Sequence, residues 1–127
     1  MTRARLGLCA LLGIALHTAG CGHEPPKTDA RYHLRGVVEA ISSSGPDAEL
    51  SIHHEAIPHF KDRDGHDSSM ASMTMIFGLA PGVSPASLRV GDKIAFDFDL
   101  RWSTSPALLL TKLEKLAADT PLVLSGE

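Results

Sequence analysis

The chain has 127 residues, 43% apolar and 21% charged, with a formal charge of −3, which is room for one domain with a single core. Taking Arg3 and Arg5 off the 12 basic residues, as part of a leader, leaves 10 against 15 acidic, a balance that argues against nucleic acid or an anionic membrane surface as a partner. The two cysteines, Cys9 and Cys21, both fall in the first 21 residues, so a disulfide framework in the folded part is excluded.

Residues 1–20 read as a signal peptide: Arg3 and Arg5, then Leu6 to Leu16, apolar throughout, then a small-residue exit. The apolar run is short of the about 20 residues a membrane-spanning helix needs. Thr18-Ala19-Gly20-Cys21 has the form of a bacterial lipobox, which makes Cys21 the expected lipidation site and residues 21–31 a flexible, lipid-anchored linker. Both features imply export to the periplasm or cell envelope.

From Tyr32 the pattern alternates with period two. Tyr32, Leu34, Gly36 and Val38 share one face of a first strand, and Gly36 in mid-strand suggests a bend of the barrel kind. A turn cluster over 42–47 leads to a second strand in which Leu50, Ile52 and His54 alternate with Ser51, His53 and Glu55. Residues 57–69, with proline, glycine, three aspartates and two histidines, read as a long polar loop. Met73 to Leu79 resumes a strand with Met73, Met75 and Phe77 on one face, and Lys93 to Trp102 alternates Ile94, Phe96, Phe98, Leu100 and Trp102 with polar residues. Leu109, Leu113 and Leu116 recur at helical spacing, although Ala107 to Leu116 also suits a closing strand. Residues 117–127 read as a poorly ordered tail. Short strands punctuated by turns imply an all-β class, a small barrel or sandwich over residues 32–116.

The three methionines of the mature chain, Met70, Met73 and Met75, lie within six residues. Residues two apart on a strand point the same way, so Met73 and Met75 present their thioethers side by side, and His54 faces them if the two strands are neighbours. Two thioethers and an imidazole are a soft, neutral donor set suited to Cu(I) or Ag(I) and ill suited to Mg, Ca or Zn. Unlike a thiol, a thioether is not consumed by disulfide formation in an oxidising compartment. Methionines also fill cores; packing alone would account for Met73 and Met75, but poorly for Met70 beside a serine-rich stretch. His53 should face solvent on the opposite side from His54. His59 and His66, with Asp62, Asp64 and Asp67, are weaker metal candidates, without the spacing of a structural zinc site.

Gly36-Val37-Val38, the strand Leu50 to Glu55, Met73-Thr74-Met75-Ile76-Phe77 and Gly91-Asp92-Lys93-Ile94-Ala95-Phe96-Asp97-Phe98 together resemble the CusF-type periplasmic copper/silver-binding proteins. The resemblance spans Tyr32 to Leu116. It implies a five-stranded barrel of the oligonucleotide/oligosaccharide-binding (OB) kind, with His54, Met73 and Met75 holding one Cu(I) or Ag(I). In the namesake branch a tryptophan stands where this chain has Met70. The run Met70-Ala71-Ser72-Met73-Thr74-Met75 instead is similar to a Met-x-x-Met-Thr-Met pattern in segments associated with SCO-type copper proteins, which makes Met70 a candidate third sulfur. The spacing from His54 to Met73 exceeds the family's, with Lys61 to Ser68 as the extra residues.

The expected function is therefore that of an exported metallochaperone or buffer in copper efflux or homeostasis, with no enzymatic activity. The expected partner is a copper efflux or copper-assembly protein, and the expected state a monomer touching the membrane only by its lipid. The alternative is an envelope lipoprotein whose OB module has a structural or ligand-binding role without metal.

Overall fold

The computed structural model describes residues 26–42 and 47–125; the expected signal peptide, the lipidation site Cys21 and most of the turn cluster at 43–46 lie outside the described residues. Among the described residues seven strands form: β1 (Ala30–Ser42), β2 (Glu49–His54), β3 (Ile57–Lys61), β4 (Asp67–Met70), β5 (Met73–Leu79), β6 (Lys93–Leu100) and β7 (Leu108–Lys115). Five of them close a barrel in the order β1-β2-β5-β7-β6, and β3 and β4 form a separate two-stranded sheet. Counting barrel strands alone, the order is 1-2-3-5-4, the small OB-like barrel that the resemblance implies. Among the described residues no helix is long and apolar enough to cross a membrane.

Strand parity builds the core as read from the sequence. Val38, Leu50, Ile52, Phe77, Ile94, Phe96, Phe98, Leu100 and Leu110 are all fully buried, because inward and outward residues alternate along each strand. Phe77, Phe96 and Phe98 meet with ring centroids 5.1–6.2 Å apart, within the favourable range for aromatic pairs. All antiparallel barrel ladders are long, but β5 and β7 meet in parallel at only two pairs, Gly78 with Leu109 and Leu79 with Leu110. The helical spacing of the C-terminal leucines yields to pairing with β6: residues 108–115 are strand, as the resemblance required.

Three expectations change. The segment 57–69 is not a loop but mostly the hairpin β3–β4, with Ile57 and Phe60 in the core. Its anchor is aromatic: Phe60 stacks on Tyr32 at 5.6 Å and meets Trp102 edge-on at 6.2 Å. Tyr32 Oη accepts the Lys61 N–H at 2.8 Å, and Trp102 Nε1 donates to the Lys61 carbonyl at 3.3 Å. Second, Trp102 lies beyond the end of β6 and holds the hairpin rather than continuing the strand. Third, the tail is held in place through Ser125: Lys93 Nζ donates to the Thr120 carbonyl at 2.6 Å, and the Val123 N–H donates to Glu55 Oε1 at 3.0 Å. At the other end the domain begins early. The Asp29 N–H donates to the Leu100 carbonyl at 2.8 Å, before β1 has started.

Candidate metal centre

The ladder between β2 and β5 sets His54 directly opposite Met73 and Ile52 directly opposite Met75. Directly opposed residues share a face with Cβ atoms about 5 Å apart, and diagonal neighbours lie about 7–8 Å apart. His54, Met73 and Met75 therefore share the inward face, at the end of the ladder where β2 stops. Parity continues into the barrel, where Ile52, Leu50 and Phe77 are fully buried. The donors thus sit at the barrel mouth rather than in its middle.

Burial grades across the three. His54 is fully buried, Met75 is half-buried and packs against the core, and Met73 is 46% exposed. Met70 is half-buried and packs against the same core, opposite Ile57 at the base of the hairpin. Only Glu55-Ala56 and Ala71-Ser72 separate that base from the end of the β2–β5 ladder. The hairpin thus leaves from the end of that ladder, with Met70 at its base.

The imidazole of His54 has a defined tautomer. Nδ1 donates to the Glu55 carbonyl at 2.6 Å; since a carbonyl only accepts, the proton is on Nδ1. Nε2 then carries a lone pair, and it is buried without a hydrogen-bond partner among the described residues. Burial is the main influence on this ring and pushes its pKa below the ordinary histidine value, partly opposed by the Glu55 contact, so the ring is neutral at pH 7. A buried nitrogen acceptor without a donor costs stability. A soft cation is the partner it fits, with two thioethers on the same face.

Gly36 makes this wall possible. It pairs with His54 across the β1–β2 ladder, and a Cβ there would meet the His53 carbonyl oxygen at 2.5 Å and Ile52 Cγ2 at 2.8 Å. The mid-strand glycine lets β1 cross close behind the histidine, as its sequence position suggested.

The remaining histidines are placed elsewhere. His53 does face away from His54 but not into solvent: its side chain is 15% exposed, with Nε2 3.1 Å from Ser72 Oγ and 3.2 Å from the Ser125 carbonyl. The tail covers it, which a strand-parity argument could not foresee. His59 and His66 are exposed on the hairpin and engaged with carboxylates, His59 with Asp67 at 3.1 Å and His66 with Asp62 at 3.6 Å. The donor atoms of Asp62, Asp64 and His66 lie within 4.8 Å of one another, but Asp62 Oδ1 already accepts the N–H groups of Asp64 and His66 that shape the turn. Both histidines thus lie out along the exposed hairpin, beyond the base where Met70 stands opposite Ile57. Trp102 is likewise occupied with the hairpin, and Arg63 lies 5.4 Å over its ring.

The family described as copper binding periplasmic protein CusF matches residues 31–115, which take in the barrel strands from the second residue of β1 onward and the candidate residues His54, Met70, Met73 and Met75. The chain belongs to the CusF family. Its fold is also that of solved CusF structures. Apo-CusF residues 6–88 from Escherichia coli superposes with a TM-score of 0.50 at 22% identity, covering 77% of this chain and 98% of that one. CusF-Ag(I) residues 10–88 from the same organism superposes with a TM-score of 0.51 at 23% identity, covering 71% and 96%. No curated protein sequence matches the chain significantly. Proteins of the CusF type bind metal and catalyse no conversion, and the chain is a binding protein, not an enzyme. One residue that completes the site was missed by sequence reasoning: Glu55, which acts on His54 through a backbone carbonyl and so leaves no signal in its residue type.

Proposed function

We propose that this protein binds one Cu(I) or Ag(I) at the barrel mouth through His54 Nε2 and the thioethers of Met73 and Met75, as an exported metallochaperone or buffer. The observation that carries this reading is the buried, unpartnered Nε2 of His54 on the strand pair that bears Met73 directly opposite. Neutral imidazole and thioether donors favour a soft monovalent ion over harder divalent ones. Family membership supports copper, and one of the similar folds is a silver complex of CusF.

Graded burial suggests how the ion moves. An arriving ion meets exposed Met73 first, then Met75, and His54 last; departure runs in reverse. Stepwise exchange of thioethers with a partner's methionines suits handover to a copper efflux or copper-assembly protein. Met70, at the hairpin base, is placed to supply a third sulfur or to shield the ion. His59 and His66 have no share in this centre. Attachment of Cys21 to lipid would hold the domain at the envelope surface on a short linker and restrict the volume it searches for that partner.

Titration with a Cu(I) chelator as competitor tests the assignment. The full chain should take one ion, and the Met73→Ile/Met75→Ile double variant should bind more than about a hundredfold more weakly, exceeding the loss expected from removing a supporting group. Equal binding by the double variant would overturn the site, and no binding by the natural chain would favour a structural barrel without metal.

A further inference from the structure

Glu55, the residue after His54, is fixed from several directions. Its N–H donates to the Arg35 carbonyl at 3.0 Å. Its carboxylate receives a two-pronged contact from Arg35, Nε to Oε2 at 3.1 Å and Nη2 to Oε1 at 2.9 Å. Oε1 also accepts the Val123 N–H at 3.0 Å. Its carbonyl in turn takes the proton of His54 Nδ1. Glu55 stands just past the end of β2, where no ladder fixes the peptide plane, so these contacts are what aim its carbonyl at the imidazole.

Val123 belongs to the segment 117–125, which has no strand of its own and lies back over the barrel. The Leu116 N–H donates to the Lys93 carbonyl at 2.8 Å, Lys93 Nζ donates to the Thr120 carbonyl at 2.6 Å, and the Ser125 carbonyl lies 3.2 Å from His53 Nε2. The segment thus grips the residues on both sides of His54, namely His53 and Glu55.

We infer that segment 117–125 is a strap that sets the soft-metal affinity of the barrel mouth through Glu55, with Val123, Arg35 and Glu55 as positioning residues for His54. This rests on the assignment of His54 as a ligand. Nε2 can bind a cation only while Nδ1 keeps the proton and the ring keeps its orientation, and the Glu55 carbonyl fixes both. When the strap leaves, Oε1 of Glu55 loses a donor, the peptide gains freedom and the imidazole becomes less preorganised. Linkage makes the effect mutual: if the docked strap favours the ion, the bound ion favours the docked strap by the same factor. A partner that lifts the strap would thereby loosen the ion.

The test uses the full chain with Ag(I) as the probe. Val123→Pro deletes the N–H that Glu55 accepts, whereas Val123→Ala keeps it. Val123→Pro should weaken Ag(I) binding about three- to tenfold in a competition titration, below the about 10–100-fold typical of a ligand's direct partner, and Val123→Ala should match the natural chain. In the natural chain, Ag(I) should slow hydrogen exchange at the Val123 amide. Ring ¹⁵N shifts of His54 should show one tautomer in the natural chain and a mixture in Val123→Pro. Undiminished affinity in a folded Val123→Pro, or Val123 exchange indifferent to Ag(I), would overturn the strap. If Val123→Pro does not fold, the exchange measurement on the natural chain decides. Failure of the natural chain to bind Ag(I) would instead overturn the ligand assignment.

Discussion

Gly36 determines how near β1 can approach the histidine wall. Adding one methyl group in Gly36→Ala would drive a Cβ into the His53 carbonyl oxygen and Ile52 Cγ2. The carbonyl cannot retreat without disturbing the β1–β2 ladder, and Ile52 is fully buried in the core, so about 3 kcal/mol of stability should be lost, measurable as a lower urea midpoint at unchanged m-value. His54 gives the opposite outcome. Its Nε2 is buried without a partner, so His54→Leu removes a cost along with the Nδ1 bond. Stability should stay within about 1 kcal/mol of the natural chain while Ag(I) binding in a competition titration is lost. That pair of outcomes would mark His54 as a residue that the proposed ligand needs and the fold does not. At this scale period two made the shared strand face of His54, Met73 and Met75 legible in the sequence. It was silent where a backbone group acts, as the Glu55 carbonyl does.

The hairpin β3–β4 was hidden because its two buried residues, Ile57 and Phe60, are three apart, across an irregularity in the register between them. Alternation fails there, and Pro58, His59 and Lys61 make the surroundings read as polar loop. The leucines of β7 pull the other way: Leu109, Leu113 and Leu116 mimic a helix, yet pairing with β6 from Ile94 to Leu100 makes the segment the closing strand that the resemblance favours. Local spacing cannot register a neighbour that lies in another part of the chain. The hairpin's dependence on one aromatic anchor gives a prediction for the element. Phe60→Ala should cost about 3 kcal/mol and release the hairpin before the barrel. Trp102 is the single tryptophan of the chain, so its emission should shift to the red at a lower urea concentration than the loss of barrel circular dichroism. Coincident transitions would mean that hairpin and barrel form one cooperative unit.

For the molecule as a whole, the entry into the barrel is held by charge. Asp99, 7% exposed, receives Arg31 Nε at 2.6 Å and Nη2 at 3.0 Å. The hydrogen bonds from Arg31 hold the Asp99 carboxyl below its ordinary value of 3.8, and Thr28 adds to them while burial acts the other way. A carboxyl lowered by folding stabilises the fold above its unfolded pKa and loses that contribution as the pH falls through its folded pKa. Asp99→Asn should therefore be less stable than the natural chain at pH 7. The two urea midpoints should converge as the pH drops below the carboxylate range; a gap independent of pH would mean that packing, not charge, is responsible.

The short parallel joint between β5 and β7 bears on selectivity. Closure is made at Gly78 and Leu79, at the opposite end of β5 from Met73, so the stretch carrying the two thioethers is paired through β2 alone. Beyond that pairing it is tied to β1 by the Thr74 hydroxyl, which donates to Glu39 Oε2 at 2.8 Å, and a stretch so lightly braced would act as a flap. A cage braced on every side discriminates ions by radius, whereas donors on a flap can spread or close by some tenths of an ångström without disturbing the aromatic interior. The proposed centre would accordingly sort cations by polarisability and charge and tolerate a difference in size, accepting the larger silver ion on the same terms as the smaller cuprous one.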